Sequence, residues 1–170
     1  VRRTQGIPPT CAVDANVLFD LFAGGVLHDL FSLECVFLTT DIVAHEVRTI
    51  PLTDLLCLGL EIRELPGEQV LEMLELRKNY PALSMEDISV MVLARHSGAV
   101  LLTGDGTLRK TAREEGVVLH GTLWLMDLLV AGEIVTPSRA AGAIETMRQN
   151  GRWLPGEECE RRIDGWRETE

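Results

Sequence analysis

The stretch AVLLTGDGTLRK, residues 99–110, opens as a buried strand and closes as the start of a helix. Ala99, Val100, Leu101 and Leu102 are apolar in succession, Thr103-Gly104-Asp105-Gly106 breaks the run, and Leu108-Arg109-Lys110 resumes with helical character. An unbroken apolar run bounded by turn residues predicts a strand covered on both faces, the kind found in parallel sheets. This strand delivers an aspartate at its carboxyl end. Taken alone, Asp105 is explained as a helix cap, because Asp accepts first-turn N–H groups and the flanking glycines suit the turn. A larger meaning requires that the chain send other carboxylates to the same end.

Outward from this stretch, strand-like runs alternate with helix-like ones. CAVDAN (11–16) reads as a short strand followed by a helix through Val17, Leu18, Leu21 and Phe22, which Gly24-Gly25 ends. A second helix is expected over Leu27 to Leu33, then a strand CVFLTT (35–40) leading to a helix from Ile42 to about Thr49. LGLEIREL (58–65) alternates and predicts a strand at a sheet edge. Helices are expected over about 68–78 and 84–96, over 106–115 and from Thr122 to Ala131, with VVLH (117–120) as a further strand. Alternation of this kind predicts an α/β fold, a three-layer α/β/α sandwich on a mostly parallel sheet, with sites at the carboxyl ends of the strands. The reading gives a core domain over 11–135, a C-terminal helical extension over 136–168 packed on it through Trp153 and Trp166, and a flexible lead-in over 1–10.

Composition limits the classes available. With 170 residues, 46% of them hydrophobic, the chain has the means to bury a core, and no apolar run reaches the roughly 20 residues of a membrane span. Cys11, Cys35, Cys57 and Cys159 form no CxxC pair, and His45-Glu46 lacks the second histidine of a zinc-protease helix, so a reduced cytoplasmic protein without a zinc site is expected. A net charge of −10, from 26 acids and 16 bases, argues against broad non-specific binding to nucleic acid. It leaves open a nucleic-acid enzyme whose acids are neutralised by metal.

Four acids sit where such a metal would need them. Asp14 leaves the first strand as Asp105 leaves the fourth, and in a parallel sheet these ends share one side. Glu46, four after Ile42 and three after Val43, is expected on a helix among apolar neighbours. Asp87 lies in the first turn of the 84–96 helix, where Ser84-x-x-Asp87 also resembles a capping box. Glu86, one step around that helix, is expected to be solvated. Crowded carboxylates raise one another's pKa, and an oxygen-preferring divalent cation removes that cost. Such a centre suits hydrolysis of phosphodiesters.

VDANVLFDL, TTDIVAHEV and LSMEDISVMVLARHSGAVLLTGDGTLRKTAREEGVVLHGT together resemble the PIN domain, an α/β/α nuclease family, over residues 11–132. The motifs that carry the resemblance are Asp14-Ala-Asn16, Glu46, Asp87 and Thr103-x-Asp105, with TGDGTLRKTAREEGV the most specific block. GRWLPGEECERRIDGW resembles the C-terminal helical extension of some prokaryotic members. The resemblance implies that Asp14, Glu46, Asp87 and Asp105 ligate or surround Mg²⁺ or Mn²⁺, with Asn16 and Thr103 orienting carboxylates. It implies a divalent-metal-dependent ribonuclease acting on RNA. A toxin-type ribonuclease would add an antitoxin partner and a homodimer. The chain departs from the pattern four residues after Asp105, where some relatives carry an acid and this chain carries Arg109. Arg109, Lys110 and Arg113 are candidates for holding substrate phosphates, against the alternative of an ordinary solvated helix face.

Two rival folds fail on single residues. A response-regulator receiver wants an acidic pair closing the first strand, and Val13-Asp14 does not supply it; a haloacid-dehalogenase phosphatase wants Asp-x-Asp, which Asn16 breaks. The remaining alternative is a PIN-like module that binds RNA or protein without cutting.

Overall fold

The computed structural model describes residues 7–168. Five strands form one wholly parallel sheet: β1 (Thr10–Val13), β2 (Val36–Thr40), β3 (Glu61–Arg63), β4 (Val100–Leu102) and β5 (Leu119–His120), in the order β3-β2-β1-β4-β5. Cys11, Ala12 and Val13 of the central strand are buried, as are Leu101 and Leu102 beside them, as the apolar runs require. Val13 stands opposite Leu102, and the Asp14 N–H continues the ladder to the Leu102 carbonyl at 3.0 Å. From β1 the chain first winds to one side through β2 and β3, then crosses to the other side for β4 and β5. The reversal falls between β1 and β4, and crevices at the carboxyl ends of parallel strands open at such switch points.

The helices cover both faces: α1 (Ala15–Ala23), α2 (Leu27–Leu30), α3 (Asp41–Glu46), α4 (Leu52–Leu58), α5 (Gly67–Asn79), α6 (Met85–Ser97), α7 (Gly106–Glu114), α8 (Thr122–Ala131), α9 (Pro137–Gln149) and α10 (Gly156–Arg167). Ile88 to Ala94 of α6 are all buried, because this helix packs on β1, β2 and β4 with α3, α5 and α7 beside it. A Thr40–Ser89 hydroxyl bond of 2.8 Å fixes the start of α6 at the carboxyl end of β2.

Several sequence expectations change. The segment 52–58 is a helix, starting behind Pro51, whose fixed φ is ready-made for a helix start. α2 and α3 stop three residues early. The lead-in expected over 1–10 does not extend through residue 10: Ile7 packs against the core, the Pro9 carbonyl accepts the Val36 N–H, and Thr10 opens β1. The rest of that lead-in, residues 1–6, lies outside the described residues. In the C-terminal part, Ala140, Ala143, Ile144 and Met147 of α9 and Cys159 and Ile163 of α10 enter the common core. A Cβ on Gly24 would stand 2.6 Å from the Met147 Cε and 3.1 Å from the Ala143 carbonyl oxygen, so α9 lies hard against the end of α1. Trp166 is partly buried, whereas Trp153, expected to dock, is 77% exposed; buried Leu154 beside it takes the docking role.

Candidate functional site

Asp14 stands where β1 ends and α1 begins, with an extended backbone that suits an N-cap, yet its side chain makes no capping bond. One carboxylate oxygen, Oδ2, accepts instead from the Thr103 hydroxyl at 2.8 Å and the Asn16 side-chain amide at 2.7 Å. Both donors are held in turn. Asn16 Oδ1 accepts the Gly104 N–H at 3.0 Å, and the Thr103 hydroxyl accepts the Asp105 N–H at 3.1 Å. The ends of β1 and β4 are thus tied together through one carboxylate, only 3% exposed. Burial pushes its pKa up to about 7, Thr103 offsets part of that rise, and the charges of Asp87 and Glu46 add to it. Among the described residues no arginine or lysine pairs with it.

Asp87 forms a reciprocal capping box with Ser84: its Oδ2 accepts the Ser84 N–H at 2.9 Å while its own N–H goes to the Ser84 hydroxyl at 3.0 Å. Its charge still reaches both Asp14 and Glu46. Glu46 differs from expectation. α3 ends at this residue, so no further turn packs around it; Val43 and Val47 take the buried positions and Glu46 is exposed. Partial desolvation and the facing charges of Glu86 and Asp87 raise its pKa. Glu86, expected to be solvated, is half-buried and acts on Glu46 from the start of α6.

Asp105 lies at the same end of the sheet and caps α7, its Oδ1 accepting the Leu108 N–H at 2.7 Å. Among the described residues, no three of Asp, Glu, His or Cys stand close enough to hold an ion as they are. The four acids therefore share one end of the sheet, with Asp14, Asp87 and Glu46 feeling one another's charge, and they do not form a ready-made cage. Two of the four also serve as helix caps, Asp87 with Ser84 and Asp105 with the Leu108 N–H. The donor set still fits a hard divalent ion of the Mg²⁺ type, which uses one or two carboxylates and completes its shell with water and substrate oxygens.

The basic start of α7 divides. Arg109 is half-buried, its Nη1 donating to the Thr103 carbonyl at 2.8 Å, while exposed Lys110 takes no part in the adjoining cleft that Arg113 lines. Sequence reasoning missed Asp20 and Arg152. Asp20, 4% exposed, accepts from Arg152 Nε at 2.5 Å and the Thr122 hydroxyl at 2.7 Å, and Arg152 Nη2 also reaches the Asn16 carbonyl at 3.2 Å. The signal was available: Asp20 lies among Val17, Leu18 and Leu21 on the apolar face of α1.

A family model described as a PIN domain matches residues 10–168. No curated protein matches the chain. Among solved structures, a PilT N-terminus domain protein from the hyperthermophilic archaeon Sulfolobus solfataricus is 14% identical, with 68% of this chain and 89% of that one covered at a TM-score of 0.46, too distant to argue from. The family match runs from the first strand through the last helix, and on it the chain belongs to the PIN-domain family.

Proposed function

We propose that the protein is a divalent-metal-dependent endoribonuclease that hydrolyses single-stranded RNA. The observation that carries this reading is Asp14: a buried carboxylate at the switch point of a parallel sheet, oriented by two neutral donors and facing further acids, with no cationic side chain against it among the described residues. Such a group is costly to ionise unless a cation joins it. Asp14 with Asp87, Glu46 and Asp105 would hold Mg²⁺ or Mn²⁺. When bound there, the ion supplies positive charge to the phosphodiester oxygens and acidifies the attacking water. The chain's own part is to fix and shield. Thr103 and Asn16 hold the Asp14 carboxylate in one orientation, and Arg109 and Arg113 offer guanidinium groups to phosphates beside it.

The test is cleavage of a labelled single-stranded RNA with Mg²⁺ or Mn²⁺, in the presence and absence of chelator. Asp14→Asn should be inactive and the chelated parent silent; cleavage that survives both would refute the reading. The second reading, a module that binds RNA or protein without cutting, draws on the absence of a ready-made three-ligand cluster among the described residues. It predicts RNA or protein binding with no cleavage under any divalent ion. A toxin-type ribonuclease in the cytoplasm would further bind an antitoxin, encoded by a neighbouring reading frame, and form a homodimer. Co-purification with that frame's product and light scattering separate it from a housekeeping nuclease.

A further inference from the structure

Beside the carboxylates a cleft of about 490 Å³ opens between the start of α7, the turn from β5 to α8 and residues 153–155 ahead of α10. Gly104 belongs to its wall and also donates its N–H to Asn16, so the cleft neighbours the Asp14 site through that residue. Arg109, Arg113 and Arg162 line it together with one carboxylate, Glu158. Arg109 and Arg113 stand one turn apart on α7, and Arg113 makes no side-chain hydrogen bond or ion pair among the described residues. Arg162, on another wall, is already neutralised by Asp127 at 2.9 Å and Glu158 at 3.3 Å.

The aromatic part is equally specific. His120 and Trp124 stack with centroids 4.0 Å apart and planes 8° from parallel. Trp153 lines the cleft with 77% of its surface in water. Its segment is nonetheless anchored on both sides, by Arg152 on buried Asp20 and by buried Leu154. An exposed indole lining the same cleft as Arg109 and Arg113 matches the pairing that single-stranded nucleic acid offers, a flat base next to a phosphate. An acidic peptide would use the arginines but has no flat face for the indole.

We propose that this cleft holds one nucleotide of a single-stranded RNA, its phosphate on Arg109 and Arg113 and its base against Trp153, adjoining the phosphodiester presented to Asp14. The inference rests on the ribonuclease reading for the position of the scissile bond. It extends that reading by giving the C-terminal segment a part in substrate recognition.

The test is calorimetric titration of the full chain with hexa-adenylate in chelator, where no cleavage intervenes, with hexaglutamate as the comparison probe. Hexa-adenylate should bind measurably and hexaglutamate far more weakly. Trp153→Ala should weaken hexa-adenylate about tenfold, since stacking on an aromatic ring is worth that order, and Trp153→Phe should restore most of it. Arg113→Ala should weaken binding and reduce the salt slope by about 0.7, the value for one phosphate on a single strand. Both side chains are exposed, and an unchanged melting temperature checks that the variants fold. Parent-like affinity in Trp153→Ala overturns the proposal. So does hexaglutamate binding as tight as hexa-adenylate and lost in that variant, which would make the cleft a peptide site. Cleavage separates this from the ribonuclease reading. A Trp153→Ala protein that cuts RNA with the parent's KM sinks the nucleotide site alone, whereas Trp153-dependent binding in a parent that never cuts sinks the ribonuclease reading alone.

Discussion

Asp14 and Asp20 lie six residues apart, one at the entrance to α1 and one within it, and both are almost wholly buried. Their partners differ. Asp20 has a guanidinium and a hydroxyl, one on each oxygen, so the rise that burial imposes on its pKa is opposed by Arg152 and Thr122. Asp14 has a hydroxyl and an amide on one oxygen and a second and third acid acting on it. Buried charge needs compensation. Asp20 finds it inside the fold, and so serves the fold by tying the segment after α9 to α1. Asp14 does not find it among the described residues, and in the function proposed above a divalent ion supplies it. On that proposal, the difference in partners separates a structural acid from a functional one more sharply than burial alone does.

The largest effects should come from breaking the contrast at its two ends, with opposite signs. Asp14→Asn should abolish metal-dependent cleavage and, at pH 8 without metal, stabilise the fold by about 2–4 kcal/mol, read by urea denaturation. The sign follows from its raised pKa. The folded state holds this proton above the ordinary carboxylate range, so its favourable contribution is complete below about pH 4 and is lost as pH rises toward about 7. Stability of the metal-free parent should therefore fall relative to Asp14→Asn across that window; parallel curves would contradict it. Arg152→Ala should do the reverse and destabilise by about 2–3 kcal/mol, less than a fully buried pair because Arg152 is 30% exposed. Adding Asp20→Asn to Arg152→Ala should recover part of that loss; no recovery would mean that Arg152 acts through something other than this charge.

Smaller effects sharpen the comparison. Thr103→Val removes the hydroxyl that donates to Asp14 and should weaken Mn²⁺ affinity about 10-fold while costing about 1–2 kcal/mol of stability, with Thr103→Ser retaining both. Asp105 separates capping from ligation. Asp105→Asn keeps a good cap and should leave the melting temperature almost unchanged, whereas Asp105→Ala should lose about 1 kcal/mol. If Asp105 joins the ion, both variants lose cleavage; if it only caps, Asp105→Asn cuts like the parent.

The sequence carried the fold because its strands are apolar on both faces, and VLL at 100–102 and CAV at 11–13 leave no alternative to a covered parallel sheet. It also placed Asp14, Asn16, Thr103 and Asp105 at one end, since residues that follow adjacent parallel strands share that end. Side-chain contacts between distant elements were less legible. Glu46 was drawn into an apolar face by a periodicity that α3 does not sustain, and Glu86 faces Glu46 because α3 meets the start of α6, which helical spacing on one element does not encode. Asp20 was passed over although the same periodicity argument applied to it, and its partner Arg152 lies 132 residues away. Residue type alone points Trp153 toward the core, but its neighbour Leu154 faces inward.

The most direct measurement is calorimetric titration of the metal-free chain with Mn²⁺ at pH 8 and pH 6, for the parent and for Asp14→Asn. The parent should bind at pH 8 and bind more weakly at pH 6, where protons compete at Asp14, and Asp14→Asn should show no comparable site at either pH. Equal Mn²⁺ binding by parent and Asp14→Asn would contradict the assignment of Asp14 as the acid whose missing compensation is a metal ion.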